Sequence, residues 1–176
     1  MNGARCSVTV MLCAAIWAAS VGCQGAPPGI GDTPTERNKA LVRRWIEEGF
    51  NKRQLPVVDE LFAEHVVING QALGWDGLKQ SMSRHLSAFP DLHVTIDDIV
   101  AEEDKVGIWY TVEGTHQGEF EGIPPTGKHV RWAGFDLLRV EDGKISEARF
   151  LSDFFGLLKQ LGARVTLPSD PEGARP

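Results

Sequence analysis

Apolar residues recur at helical spacing in the N-terminal half of the chain. In residues 35–50, Leu41 and Trp45 lie four positions apart on one face, and charged residues cover the opposite face. This period predicts an amphipathic helix with Thr35 as its N-cap. The same spacing predicts two further helices, at residues 55–62 and 76–89.

The pattern then changes to an alternation of apolar and polar residues, which is typical of half-buried strands. The predicted strands are residues 65–69, 92–100, 105–115, 128–141 and 145–152, and a last helix covers residues 154–161. Helices followed by antiparallel strands favour the α+β class, with the helices on one face of a sheet. A strongly curved sheet closed by helices encloses a mostly apolar pocket.

One apolar row of the predicted sheet contains an acidic residue, Asp136. The row consists of Val130, Trp132, Gly134, Asp136, Leu138 and Val140. Burial disfavours the charged form and raises a carboxyl pKa, which suits a general acid or base near neutral pH. The alternative is a structural aspartate paired with one of three arginines, Arg131, Arg139 or Arg149.

Three other side chains are candidates for chemistry or binding. Asp153 is a candidate acid or base, but it precedes the last helix and can instead cap it. His116 precedes a glycine-rich loop and is either a proton shuttle or a surface histidine at a strand end. His85 lies at the edge of the apolar face of the third helix, where it either points into the cavity or is a hydrogen-bonded core residue.

The aromatic residues are numerous for one small domain, and core packing is the default role for most of them. Trp132 shares a face with Asp136 and is therefore expected in the pocket wall. Phe150 and Trp109 are predicted to contact the ligand as well.

Composition excludes several classes of function. The chain has 176 residues, enough for one domain, and a net charge of −6 with no run of basic residues, which argues against nucleic acid as a partner. The five histidines show no metal-ligand spacing. No metal ion or other cofactor is expected, although scattered histidine and aspartate side chains leave a metal site open.

The N-terminus has the pattern of an export signal. A basic residue precedes an apolar run that ends at Cys23, so residues 1–23 are predicted to be a signal peptide. The run Ser20-Val-Gly-Cys23 resembles the lipobox of bacterial lipoproteins, which implies lipidation of Cys23 and anchoring to a membrane of the cell envelope. The alternative is an ordinary signal peptide in which Cys23 is incidental. Residues 24–35 are expected to form a flexible tether, and residues 163–176 a disordered tail.

The run His116-Gln-Gly-Glu-Phe-Glu-Gly-Ile-Pro-Pro-Thr-Gly-Lys128, followed by Asp136, Asp142-Gly143 and Asp153, resembles the C-terminal half of SnoaL-like polyketide cyclases. The resemblance covers about residues 36–162. It implies the cone-shaped α+β fold of the NTF2-like class around one deep apolar pocket, and many such domains form homodimers through the open sheet face. In the cyclases proper, the acid/base aspartate lies three residues before the aspartate that opens the last helix. In this chain that position is Phe150.

Two functional hypotheses follow. The first is an exported enzyme that isomerises, cyclises or hydrates a small, largely apolar molecule by cofactor-free acid–base chemistry. The second is a non-catalytic lipoprotein that holds or delivers a small molecule in the same pocket. A domain that serves mainly to dimerise is a third possibility.

Overall fold

The computed structural model describes residues 33–164 of the chain. The predicted signal peptide, nearly all of the predicted tether and most of the predicted tail lie outside the described residues. Within residues 33–164, no helix is both long enough and apolar enough to cross a membrane.

The first helix, α1, spans Pro34–Arg44. Its N-cap is Thr33 and not Thr35, because the Thr33 side chain accepts a hydrogen bond from the Glu36 N–H. Pro34 fits the first helical turn, since a backbone N–H at that position would have no acceptor within the helix. The other helices are α2, Val57–Leu61, α3, Gly74–Ala88, and α4, Phe154–Leu161. The second helix is shorter than predicted because Phe62 already begins a strand.

A π-helical segment, Trp45–Asn51, continues α1 and carries aromatic residues toward the interior. Gly49 is required there, since a Cβ at this position would lie 2.8 Å from Cζ3 of Trp45. The segment ends at Asn51, whose side-chain amide donates to the Val94 carbonyl and accepts from the Val94 N–H. These two bonds tie the end of the helical layer to the sheet.

In the described part of the chain, six strands form one sheet. They are β1, Phe62–Ile68, β2, Gln71–Ala72, β3, His93–Glu102, β4, Lys105–Thr115, β5, His129–Glu141, and β6, Lys144–Ser152. The spatial order is β2-β1-β6-β5-β4-β3, with β1 parallel to β6 and every other pair antiparallel. The sheet is therefore mixed, and the predicted α+β class with a mostly antiparallel sheet is confirmed.

Irregularities in the pairing help the sheet to curl. Register shifts occur between Ile96 and Asp98 in β3 and between Arg139 and Val140 in β5, and such bulges bend strands and increase their twist. Along β5 the residues from Val130 to Val140 alternate as predicted, with every second side chain buried. The helices cover the buried face, and the core lies between the two layers.

Candidate functional site

A cavity of about 180 Å³ lies between the buried face of the sheet and the helices. Its wall is mainly apolar and includes the tryptophan and phenylalanine side chains Trp45, Phe50, Trp132 and Phe150. The polar lining residues are Ser81, His85, Tyr110, Asp136 and Ser152. A mostly apolar cavity with a few convergent polar groups is the usual form of a small-molecule site.

The Asp136 carboxyl group is the most unusual group in this wall, because only 5% of the residue is exposed. Burial raises the pKa of Asp136 to about 7, and the hydrogen bond from the Tyr110 hydroxyl to Oδ1, 3.0 Å long, opposes that rise, as does the backbone of Leu151. Within residues 33–164 the carboxyl group has no ion-pair partner.

The arginine-paired alternative is therefore wrong. Arg139 pairs with Asp104 and Glu147, and Arg149 pairs with Glu147. The backbone of Arg131 is bonded to the Gln160 side chain. Asp136 thus has the environment expected of a proton-transfer group, and its catalytic role stays a prediction.

Tyr110 is a member of the site that the sequence reasoning missed. Its hydroxyl group contacts Asp136 because β4 and β5 pair in a register that sets Ile108 opposite Asp136 and Tyr110 opposite Gly134. Gly134 leaves room for the ring, since a Cβ there would lie 2.3 Å from Cζ of Tyr110. Burial and the nearby Asp136 raise the pKa of Tyr110, so the hydroxyl group remains a donor. The signal was available, because this is the only tyrosine in the chain and alternation places it on the buried face.

Phe150 lies directly opposite Asp136 on the neighbouring strand β6, and both line the cavity. The main chain of Phe150 is held by Asn69, whose Oδ1 accepts from the Phe150 N–H at 2.8 Å and whose Nδ2 donates to the Phe150 carbonyl at 3.3 Å. Trp132 also lines the cavity, as its place in the apolar row predicted.

His85 projects from α3 into the cavity wall. Its Nδ1 lies 2.9 Å from the Ser81 carbonyl oxygen. A carbonyl oxygen only accepts, so Nδ1 carries a proton. The ring also contacts Phe120 of the glycine-rich loop, with 5.3 Å between the centroids.

Three of the predicted residues, Trp109, His116 and Asp153, lie elsewhere. Trp109 is 52% exposed on the outer face of the sheet, because alternation along β4 directs it away from its neighbour Tyr110. His116 lies neither in the cavity wall, where a proton shuttle is expected, nor on the surface. It is fully buried, accepts from the Thr126 N–H at Nδ1, and is separated from Trp132 by Phe89.

Asp153 is the N-cap of α4, and its Oδ1 accepts from the Gly156 N–H at 2.8 Å. The side chain is exposed and is not part of the cavity wall. Its predicted catalytic role is not supported by this position, whereas a cap satisfies an otherwise unpaired helix donor. In the described part of the chain, no three His, Cys, Asp or Glu side chains are grouped closely enough to hold a metal ion.

A curled mixed sheet, with helices over one face and a single carboxyl group buried in an apolar cavity, defines a protein of the NTF2-like class. The chain belongs to the SnoaL-like polyketide cyclase family, whose model matches residues 40–161. The family and fold that the sequence motifs predicted are thus confirmed.

Named relatives support this assignment. The chain is 31% identical over 147 residues to aklanonic acid methyl ester cyclase DauD of Streptomyces sp. (strain C5), covering 77% of this chain and 86% of that protein. The structure is similar to AclR, a proposed hydroxylase from Streptomyces galilaeus, with 33% identity, a TM-score of 0.67 and coverage of 73% of this chain and 97% of AclR. It is also similar to IdmH, a proposed polyketide cyclase from Streptomyces antibioticus, with 30% identity, a TM-score of 0.64 and coverage of 72% and 99%.

The buried carboxyl group has a measurable effect on stability. In the unfolded chain it ionises near pH 3.8, and in the folded protein near pH 7, so the folded state holds the proton more tightly between these values. The free energy of unfolding of the wild type, relative to an Asp136→Asn variant, should therefore be highest below pH 4. It should fall by up to about 4 kcal/mol as the pH rises to 7 and then level off.

Urea unfolding of both proteins between pH 4 and 8.5 measures this difference. The Tyr110→Phe variant is the companion measurement. Loss of the hydrogen bond to the charged form should raise the pKa of Asp136 further, so the decrease in the free energy of unfolding should continue to higher pH. A difference that stays constant over the range would show that the Asp136 carboxyl group is solvated.

Proposed function

We propose that the protein is an exported enzyme that acts on a small, largely apolar molecule by cofactor-free proton transfer. The observation that carries the proposal is the Asp136 carboxyl group, buried without a cation in the wall of an open cavity. A pKa of about 7 provides both the acid and the base form at neutral pH, which is the condition for efficient general acid–base catalysis.

The proposed chemistry needs few groups. The Asp136 carboxylate takes a proton from a carbon next to a carbonyl group, and the C–H electron pair moves toward the carbonyl oxygen to give an enolate. The protonated Asp136 then returns the proton to a different carbon in an isomerisation. In a cyclisation the enolate carbon instead attacks a second carbonyl carbon in the same molecule, the C=O π pair moves to its oxygen, and Asp136 returns the proton to the resulting alkoxide. Tyr110 donates to Oδ1 and holds the carboxyl group in one orientation during both steps.

Asp136 lies across the ladder from the position at which the cyclases carry their acid/base aspartate. In the cyclases proper, the acid/base aspartate occupies the place of Phe150, and Phe150 lies directly opposite Asp136 in the β5–β6 ladder. A carboxyl group on β5 therefore enters the same cavity as one on β6. The relative named an ester cyclase supports a reaction of the cyclase type.

The second candidate function is non-catalytic storage or delivery of a small molecule. The phenyl ring of Phe150 favours it, since replacement of a carboxylate by an aromatic ring makes the cavity more apolar and better suited to binding without reaction. Both functions use the same cavity, and only a measurement of proton transfer separates them.

Exchange of activated C–H protons with D₂O provides that measurement, with phenylacetone as the probe and ¹H NMR as the readout. The wild type should accelerate exchange, with a rate that rises through a midpoint near pH 7 because the carboxylate is the base. Asp136→Asn should lower the rate by about 100-fold or more, and Tyr110→Phe should move the midpoint to higher pH.

The matched control is Asp97→Asn, which changes an exposed aspartate bonded to Thr111 outside the cavity and should leave the rate unchanged. Full activity in Asp136→Asn would contradict the enzyme proposal. Binding of phenylacetone without accelerated exchange would favour the carrier.

We further propose that Cys23 carries a lipid that anchors the protein to a membrane of the cell envelope. The proposal is supported by the apolar run that ends at Cys23 and by the small residues before it. In a bacterial host fed with labelled palmitate, the full-length protein should incorporate label and sediment with membranes. Cys23→Ser should lose both properties, whereas the matched variant Cys13→Ser should keep them. Label retained in Cys23→Ser would contradict the anchor.

The proposal includes a homodimer formed through the outer face of the sheet. Support comes from large apolar side chains exposed on that face, among them Val100 at 60%, Trp109 at 52% and Leu151 at 70%. Native mass spectrometry of residues 24–176 should give the mass of two chains, and Trp109→Glu should give one chain because it places a charge in the apolar contact. A wild-type protein that is a monomer at micromolar concentration would contradict the dimer.

A further inference from the structure

We infer that the substrate class of this cavity is neutral one-ring ketones or esters with an activated C–H bond, and that Phe150 sets the upper limit on substrate size. The inference deepens the proposed function and rests on it for the reaction, whereas the size limit rests on the geometry of the cavity alone. The size limit is set by the side chains that line the cavity of this chain.

The volume of the cavity supports a one-ring ligand. At about 180 Å³ it is only slightly larger than the engineered cavity of about 150 Å³ that binds benzene. Pockets for drug-sized ligands measure roughly 300–1,000 Å³. One ring with a short side chain therefore fills the space, and a fused system of several rings exceeds it.

Most of the side chains in the cavity wall pack against core residues and have little freedom to move. Trp45 is 1% exposed and packs edge-on against Phe62 and Phe50, with ring centroids 4.7 Å and 5.2 Å away. Trp132 is 7% exposed and packs against Phe89. Because protein interiors are close-packed, enlarging the cavity on these sides would displace several side chains.

Phe150 differs from Trp132 and Tyr110, the other aromatic lining residues on the sheet. Trp132 is buried and Tyr110 is held through its hydroxyl group, whereas Phe150 is only partly buried and is hydrogen-bonded to Asn69 through its main chain, not its ring. The ring stands beside Asp136 in the cross-strand pair, so it occupies space next to the reacting group. Truncation at this one position should therefore extend the cavity without loss of the strand.

The charge of the wall supports a neutral ligand. Of the residues that line the cavity, none is a lysine or an arginine, and Asp136 is the acidic one. A carboxylate in the ligand would be buried without a cation and close to a second carboxyl group, and burial of an unpaired charge is strongly unfavourable. The hydroxyl groups of Ser81 and Ser152 are neutral donors suited to a carbonyl oxygen.

A series of methyl ketones that differ only in ring number tests the size limit. The probes are phenylacetone, naphthylacetone and anthrylacetone, with dissociation constants measured by calorimetry and exchange of the activated C–H protons measured separately by NMR. The wild type should bind phenylacetone at least about tenfold more tightly than naphthylacetone and should not bind anthrylacetone. The carboxylate derivative of phenylacetone should bind at least about tenfold more weakly than its parent.

Phe150→Ala should tighten binding of naphthylacetone by about tenfold or more. Phe155→Ala is the matched control, since it removes an exposed phenyl ring on α4 and should keep the wild-type order. Phe150→Leu repeats the test with a smaller change if thermal unfolding shows that the alanine variant is destabilised.

Each result bears on one of the two proposals. Equal binding of all three ketones by the wild type, no binding of any of them, or an unchanged order in both Phe150 variants would overturn the size limit. Binding in the expected order without accelerated exchange would support the size limit and contradict the enzyme. Accelerated exchange of anthrylacetone would overturn the size limit and leave proton transfer standing.

Discussion

The function proposed for this protein depends on one constraint, the burial of the Asp136 carboxyl group without a cation. Removal of a carboxylate from water is costly unless hydrogen bonds or a cation compensate for it. Here the Tyr110 hydroxyl group and the Leu151 backbone compensate only in part, so burial keeps the proton bound up to near-neutral pH. A guanidinium group in the same place would have fixed the carboxylate in its charged form, and a solvated site would have given it an ordinary pKa.

The sheet positions this pair through its register. Antiparallel pairing of β4 with β5 sets Tyr110 opposite Gly134, two positions along from the pair of Ile108 and Asp136, so the ring can lie over the glycine and reach the carboxyl group. Pairing of β5 with β6 sets Phe150 beside the same carboxyl group. A shift of either ladder by one residue would turn these side chains to the outer face. The stability of the sheet and the chemistry of the cavity therefore depend on the same main-chain hydrogen bonds.

Membership in the SnoaL-like polyketide cyclase family fixes the architecture but not the reaction. This chain has a phenyl ring where the cyclases carry their acid/base aspartate, and it has a carboxyl group directly across the ladder on the adjacent strand. The curled sheet directs neighbouring inward positions toward a common volume, so the Asp136 carboxyl group on β5 and the Phe150 ring on β6 line the same cavity. The Phe150 ring occupies space next to the carboxyl group.

Local periodicity in the sequence determined most of the elements of this protein. Alternation along β5 identified Asp136 as an acidic residue in a buried row, and the hydrophobic pattern identified α1, α3 and α4, because burial of one face requires a fixed period. Asp153 was recognisable as a cap from its place before a helix. Pairing between segments distant in the chain decided the rest. The contact of Tyr110 with Asp136 and the burial of His116 behind Phe89 follow from strand register and sheet curvature, because a linear pattern specifies the face of a residue but not its neighbours.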